Sequence, residues 1–317
     1  MDGRTCQDRG VTGRTMLLDS ASLYFRAFYG VPDTVKAPDG MPVNAVRGFL
    51  DIIAKLVTDY RPDALIACWD DDWRPRWRVD LIPSYKEHRV AHVVPGGVDV
   101  EETPEALVPQ VPVIREVLDA VGIPIVGAAE HEADDVIGTL ATTTAGPVDV
   151  VTGDRDLFQL VDDEREVRVI YTARGMSNLE LVTGDVVLSK YGVRADQYAD
   201  FAAMRGDTSD GLPGVAGVGE KTAAALLADY GDLAGIIAAA EDSSSGMKPA
   251  ARARFAAASD YLAVAPRVVE VVRDLSLPTV DAGLPAPSPE RRAALTPLSE
   301  RWGLGGSLDR LLTALER

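Results

Sequence analysis

The chain has 317 residues, enough for one large domain or two moderate ones. It is 46% hydrophobic and 26% charged, which is ordinary for a globular protein, with no apolar run long enough to span a bilayer and no signal-peptide pattern. Two cysteines, Cys6 and Cys68, exclude a disulfide framework, and the net charge of −17 runs against phosphate binding unless bound cations offset part of it and the rest lies away from the substrate.

Residues 1–15 are polar and read as a disordered extension, with Met16 as a candidate true start. Met16-Leu17-Leu18-Asp19 is a short buried-strand pattern. Asn44 to Tyr60 has helical spacing, with Val46, Phe49, Leu50, Ile53, Leu56 and Val57 on one side. Ala64 to Asp70 is a continuous apolar run closed by an aspartate, as expected of a strand covered on both faces. Cys68 lies within it and reads as a buried thiol in a reducing cytosol, so a cytoplasmic protein is expected. A basic and aromatic stretch at 73–92 is followed by a Gly/Pro/acid-rich stretch at 93–104. Gln110 to Val121 reads as a helix and Ile123 to Val126 as a strand. Glu132 to Thr143 reads as a helix opening with acids, which suit its N-terminal dipole. Val148–Thr152 and Val167–Tyr171 are further buried-strand patterns. From about residue 183 the pattern turns helical and alanine-rich, with helices expected at 183–191, 195–204, 220–230 and 249–263. Ser243 to Gly246 reads as a loop, and Pro278 to Pro289 as a Pro-rich connection. The expected order is an α/β half at 16–182, then a helical half at 183–317.

Seven acidic residues fall in three clusters: Glu132-Ala133-Asp134-Asp135, Asp154-Arg155-Asp156 and Asp207-Thr208-Ser209-Asp210. Asp19 and Asp70 each close an apolar run, and Asp154 lies just past a third. In a parallel α/β sheet the C-terminal edge is where ligands bind, so neighbouring strands would bring these three aspartates together. Glu132 and Asp135 are one helical step apart and face one way. Gathered carboxylates repel and need cations, and an all-oxygen donor set selects magnesium or manganese. The pattern points to two-metal phosphoryl-transfer chemistry.

Leu212 to Ala223 (LPGVAGVGEKTA) follows the third cluster directly. It approaches a phosphate-binding P-loop, but Glu220 intrudes between Gly219 and Lys221, and no glycine completes a dinucleotide fingerprint. It fits a helix-hairpin-helix-type element at 211–227. In that element Gly214, Gly217 and Gly219 permit a tight turn, and the next helix, with Lys221 and Thr222, offers free N–H groups to a phosphate. Such contacts position a duplex without reading its sequence.

With these motifs in order, and with Trp69-Asp70 and Tyr85-Lys86 between them, residues 16 to about 275 resemble the bacterial 5′–3′ exonuclease and flap-endonuclease family. The resemblance is to a stand-alone relative of the 5′-nuclease domain of DNA polymerase I. It implies a PIN-like (resolvase-like) α/β domain with a central, mostly parallel sheet, a helical arch at about 73–110, and a C-terminal helix–three-turn–helix domain. It implies one metal site built by Asp19, Asp70, Glu132, Asp134 and Asp135, and a second by Asp154, Asp156, Asp207 and Asp210. It gives Arg78 and Lys86 as basic groups facing the scissile phosphate and Tyr85 as a base-stacking ring. The glycine element would grip duplex DNA and could hold potassium through backbone carbonyls. Gly211 stands where relatives usually carry asparagine. The implied activity is metal-dependent 5′–3′ exonuclease and 5′-flap cleavage of DNA, and of RNA primers annealed to it, in replication and repair. The implied protein is a monomer, acts on flapped, nicked, gapped or RNA-primed duplexes, and is linked functionally to a polymerase and a ligase. Two alternatives are a PIN-type ribonuclease, which would lack the third cluster and its glycine element, and a catalytically silent DNA-binding module, which would have no use for the carboxylates.

Overall fold

A computed structural model of the protein describes residues 13–284 and 288–316. Most of the expected N-terminal extension lies outside the described residues. Arg14 and Thr15, however, belong to the fold. Thr15 opens the first strand, and Arg14 pairs with the buried Asp149 at 2.9 Å.

The α/β half alternates as its apolar runs require. In chain order it contains β1 (Thr15–Asp19), α1 (Ser20–Gly30), α2 (Asn44–Tyr60), β2 (Ala64–Cys68), α3 (Arg76–Leu81), β3 (Val90–His92), β4 (Val100–Glu101), α4 (Gln110–Val121), β5 (Ile125–Val126), α5 (Ala133–Thr143), β6 (Val148–Thr152), β7 (Val167–Tyr171) and β8 (Glu180–Val182). The main sheet has the order β5-β2-β1-β6-β7-β8, and only β8 is antiparallel to its neighbour. β1, β2 and β6 are buried along their whole length, which is why they read as continuous apolar runs rather than alternating ones. The chain leaves β1 to one side for β2 and returns on the other side as β6, so a switch point falls at the C-terminal end of β1.

The segment expected to form a helical arch does so only in part. It contains the short α3, a 3₁₀ turn at Glu87–Arg89 and the antiparallel hairpin β3–β4. Val93, Val94, Pro95, Gly96, Gly97 and Val98 make up its tip, and β-branched residues, proline and glycine all disfavour a helix. The hairpin is tied down by Asp99. Its carbonyl accepts the Trp73 indole N–H at 2.7 Å, and its carboxylate pairs with Arg74 at 2.7 Å.

The helical half comprises α6 (Gly184–Tyr191), α7 (Tyr198–Arg205), α8 (Glu220–Tyr230), α9 (Leu233–Glu241), α10 (Pro249–Ala257), α11 (Ser259–Leu262), α12 (Ala265–Val269), α13 (Pro289–Trp302) and α14 (Gly305–Leu315). The single helix expected at 249–263 is broken near Ala258 into α10 and α11. No core boundary falls at residue 183. Phe158, beyond β6, meets Tyr171, Tyr191 and Tyr198 edge to face or tilted, with centroids 5.1–5.9 Å apart. One apolar cluster runs from Leu17 and Val150 through Phe158 to Phe201, Val218 and Leu227. α13 and α14 have no counterpart among the expected elements, and they depart from the expected helical half. α14 lays Leu308, Leu311 and Leu312 against the apolar face of α2 that carries Phe49, Leu50 and Ile53. Among the described residues no single helix is long and apolar enough to cross a membrane.

Candidate active site

Register places the acids. Asp19 ends β1 opposite Cys68 of β2, so Asp70 lies two residues further along the same edge. Leu18 pairs with Val151 of β6, which puts Thr152 beside Asp19 and Asp154 two residues beyond. The Thr152 hydroxyl donates to Asp19 Oδ2 at 2.7 Å and accepts from the Asp154 amide at 2.9 Å. Asp19 Oδ1 caps α1 by accepting the Ser22 amide at 3.2 Å. Asp70 Oδ1 accepts the Ala133 amide at 2.7 Å, which draws the first turn of α5 to the strand ends. Asp19, Asp70, Glu132, Asp134, Asp154 and Asp207 then share one cleft of about 330 Å³ with Lys86. Larger hollows of about 680 and 880 Å³ lie elsewhere, but neither gathers carboxylates from strand ends.

Three expectations are corrected by the packing. Asp135 does not face the cleft. Its two oxygens take the Arg78 fork at 2.8 and 2.6 Å, and they also accept the Glu132 and Val272 amides. So paired and turned away from the cleft, Asp135 serves as a structural anchor, whereas Glu132, also paired through both oxygens, still lines the cleft. Arg78 in turn is buried, its Nε donating to the Val268 carbonyl at 3.1 Å. It cannot face a phosphate from there; it holds Asp135 and, at 3.4 Å, Glu132 in place. Tyr85 is also buried, and its hydroxyl donates to Glu132 Oε1 at 2.8 Å, so the ring is not presented to a terminal base. Lys86 does reach the cleft, and its ammonium is paired with Glu132 Oε2.

The electrostatics follow from crowding. Burial, and after it the neighbouring Asp70, push the Asp19 carboxyl up to about 7. Burial is also the main cause that raises Asp70, Asp134 and Asp156, with nearby carboxylates adding to it for each. Burial opposes the Lys86 charge, but Glu132 more than compensates and keeps the ammonium protonated. Asp207 runs the other way. Burial alone would raise it, but hydrogen bonds from Ser209 and the charge of Arg205 lower it.

Asp156 and Asp210 lie beside the cleft. Asp210 pairs with Arg89 at 3.1 Å, and its carbonyl accepts the Lys86 amide at 3.0 Å. Asp156 Oδ1 is buried and accepts no hydrogen bond, as expected of an oxygen whose partner is an ion. Among the described residues no three acids stand close enough to meet on one ion as their side chains lie, so a cation would have to draw them inward. The donor set itself, all oxygen and half-buried, fits a hard divalent cation.

The glycine turn adjoins this cleft. Gly214 has φ +65°, and a Cβ there would come within 2.6 Å of the Gly206 nitrogen, so the turn closes directly onto the third cluster. Gly217 also has positive φ, and its carbonyl accepts from Arg254 at 3.2 Å. Gly219 caps α8, with Lys221 and Thr222 exposed in its first turn. Gly211 has φ +70°, and a Cβ there would lie 1.9 Å from the Ser84 carbonyl oxygen. Glycine therefore suits this loop, which packs on the backbone just before Tyr85. The motif reading missed Arg155, Trp73, Arg89 and Glu101, which also line the cleft. Arg155 was detectable as the one cation between two aspartates; Glu101 arrives through the hairpin and has no local signature.

Carboxylates converging on the switch point of a resolvase-like sheet, with a lysine among them and a glycine turn alongside, define a hydrolytic nuclease. Residues 14–192 match the 5′-3′ exonuclease N-terminal resolvase-like domain, and residues 193–291 match the 5′-3′ exonuclease C-terminal SAM fold. A 5′-3′ exonuclease of Streptomyces coelicolor is 62% identical over 300 residues, spanning 95% of this chain and 99% of that protein. DNA polymerase I of Mycobacterium bovis is 43% identical over 226 residues, which are 70% of this chain but 24% of the polymerase. The bacteriophage T5 D15 flap endonuclease, solved in a pseudo-enzyme-product complex with DNA and metal ions, superposes with a TM-score of 0.60 at 17% identity, covering 96% of this chain and 100% of that one. That likeness establishes the fold. The chain belongs to the 5′-3′ exonuclease family.

Proposed function

We propose that the protein is a divalent-cation-dependent 5′–3′ exonuclease and 5′-flap endonuclease acting on flapped, nicked, gapped or RNA-primed duplex DNA. The observation that carries this reading is the convergence of Asp19, Asp70 and Asp154 from parallel strand ends onto one cleft, beside a turn suited to a duplex backbone. Asp19, Asp70, Glu132 and Asp134 would hold one ion; Asp154, Asp156, Asp207 and Asp210 would hold a second. Magnesium or manganese, when bound, lowers the pKa of a coordinated water and offsets the charge of a departing 3′ oxygen.

The chain's own groups do the rest. Lys86 supplies positive charge where the reacting phosphate gathers negative charge. Arg78 and Tyr85 fix Glu132 from behind. Lys221, Thr222 and the α8 amides hold the duplex backbone, and the carbonyls of the Gly214–Gly219 turn are the candidate potassium ligands. A polymerase that leaves RNA-primed ends and a ligase that needs trimmed nicks are the fitting functional partners. Cleavage of a labelled 5′-flapped duplex, with magnesium and with chelator, tests this. Asp154→Asn should abolish the magnesium-dependent product and still bind the duplex. Turnover by Asp154→Asn near the wild-type rate refutes the assignment.

A further inference from the structure

Glu220, the residue that spoils the P-loop pattern, has a structural counterpart. It opens α8, and its Oε1 lies 3.6 Å from Arg205 Nη1 and 3.7 Å from Arg155 Nη1. The two arginines come from different parts of the chain. Arg155 sits between Asp154 and Asp156 and lines the cleft, whereas Arg205 ends α7, just before the third cluster. Arg205 is built in: its Nε donates to the Gly206 carbonyl at 3.1 Å, its Nη2 donates to Asp207 at 3.1 Å, and its guanidinium packs over Phe201. Only 10% of that side chain is exposed, and its Nη1 is buried with no hydrogen-bond acceptor. Arg155 is 39% exposed and Glu220 is 53% exposed.

A buried guanidinium with one face unpaired is an unfilled demand for an anion oxygen. Glu220 supplies charge nearby but not a hydrogen bond, since both separations exceed hydrogen-bond length. The Arg155–Glu220 pair, exposed on both sides, contributes little. Beside them lies the start of α8, whose first amides have no intrahelical acceptor, and a Cβ at Gly219 would meet nothing within 4 Å. Two guanidinium groups, a helix N-terminus and open space describe a seat for a tetrahedral anion.

We propose that Arg155, Arg205 and the first turn of α8 form a phosphate seat between the glycine turn and the cleft, and that Glu220 is its displaceable resident counter-charge. Its occupant is a backbone phosphate of the bound duplex, on the strand running from the turn toward the carboxylates. The seat rests on the nuclease reading above and adds a contact that fixes the distance between grip and cut. Glu220 then lowers affinity for duplex and supplies a counter-charge to both arginines when no substrate is bound.

The test is anisotropy binding of a labelled 5′-flapped duplex in chelator, titrated with salt, with cleavage in magnesium measured in parallel. Glu220→Gln should bind about three- to ten-fold tighter than wild type and show a salt slope steeper by about one charge. Arg205→Gln in the Glu220→Gln background should remove that gain. Thermal melts in the same buffer check that both variants are folded. If Glu220 only complements the helix dipole, Glu220→Gln lowers the melting temperature slightly and binds no tighter, which overturns the seat. Wild type that cuts flapped duplex while Glu220→Gln binds equally or more weakly sinks the seat alone. Wild type that neither binds nor cuts sinks the seat and the functional reading together.

Discussion

Arg78→Ala separates two roles that its position in the sequence cannot. If Arg78 faced a phosphate, truncation would lower turnover and leave the fold alone. In the structure it donates to both Asp135 oxygens and to the Val268 carbonyl, and it lies 3.4 Å from Glu132, all out of solvent. Removing it leaves the buried Asp135 without its cation, while Glu132 keeps Lys86, and breaking a buried pair in this way costs about 3–5 kcal/mol. Asp135 keeps the Glu132 and Val272 amides, so the lower end, about 3 kcal/mol, is expected. That corresponds to a fall in melting temperature of about 4–5 °C for a chain of this size. Urea unfolding in chelator measures it, with the melt as a second probe. Arg78→Met combined with Asp135→Leu should recover much of the loss, since a well-packed apolar replacement of a buried pair is often near neutral. An Arg78→Ala protein within about 1 kcal/mol of wild type would refute the anchoring role.

Two further perturbations test the site and its supports. The Asp19 carboxyl, raised to about 7 by burial and Asp70, holds its proton in the folded state over a range where the unfolded chain, near 3.8, has lost it. Stability of the metal-free protein should therefore fall as pH rises from about 4 to 7, by up to about 4 kcal/mol from this group. Magnesium should flatten the fall; melting temperatures that climb across that window in chelator would contradict it. Gly211→Asn should destabilise by about 2 kcal/mol or more, because a Cβ there meets the Ser84 carbonyl at 1.9 Å. An unchanged urea midpoint would show that the 83–86 backbone yields freely.

The acids at strand ends were legible because burial on both faces of a parallel strand writes an uninterrupted apolar run, and Asp19, Asp70 and Asp154 stand where those runs stop. The helical step between Glu132 and Asp135 was only half legible: Arg78 reaches both, but Glu132 is the N-cap of α5 and lines the cleft, whereas Asp135 turns away from it. What the Asp135 side would meet was not legible, because it depends on Val268 and Val272, more than 130 residues along the chain from Asp135. The hairpin at 90–101 departs from the helices implied by resemblance because its own residues, valine, proline and glycine, disfavour them. α14 did carry a signal, Leu308, Leu311, Leu312 and Leu315 at helical spacing, but its partner face on α2 is some 250 residues earlier.

The aromatic knot of Phe158, Tyr171, Tyr191 and Tyr198 bears on how freely this architecture can be recombined. The two family segments meet between residues 192 and 193, yet the knot straddles that seam. A protein cut there would carry three rings of the knot on one fragment and leave the fourth on the other, so neither fragment inherits a finished interior. Because Asp154 and Asp156 precede the seam and Asp207 and Asp210 follow it, the same interlock sets the two halves of the acid set in one fixed alignment. Shuffling either half between relatives would demand that the rings travel together.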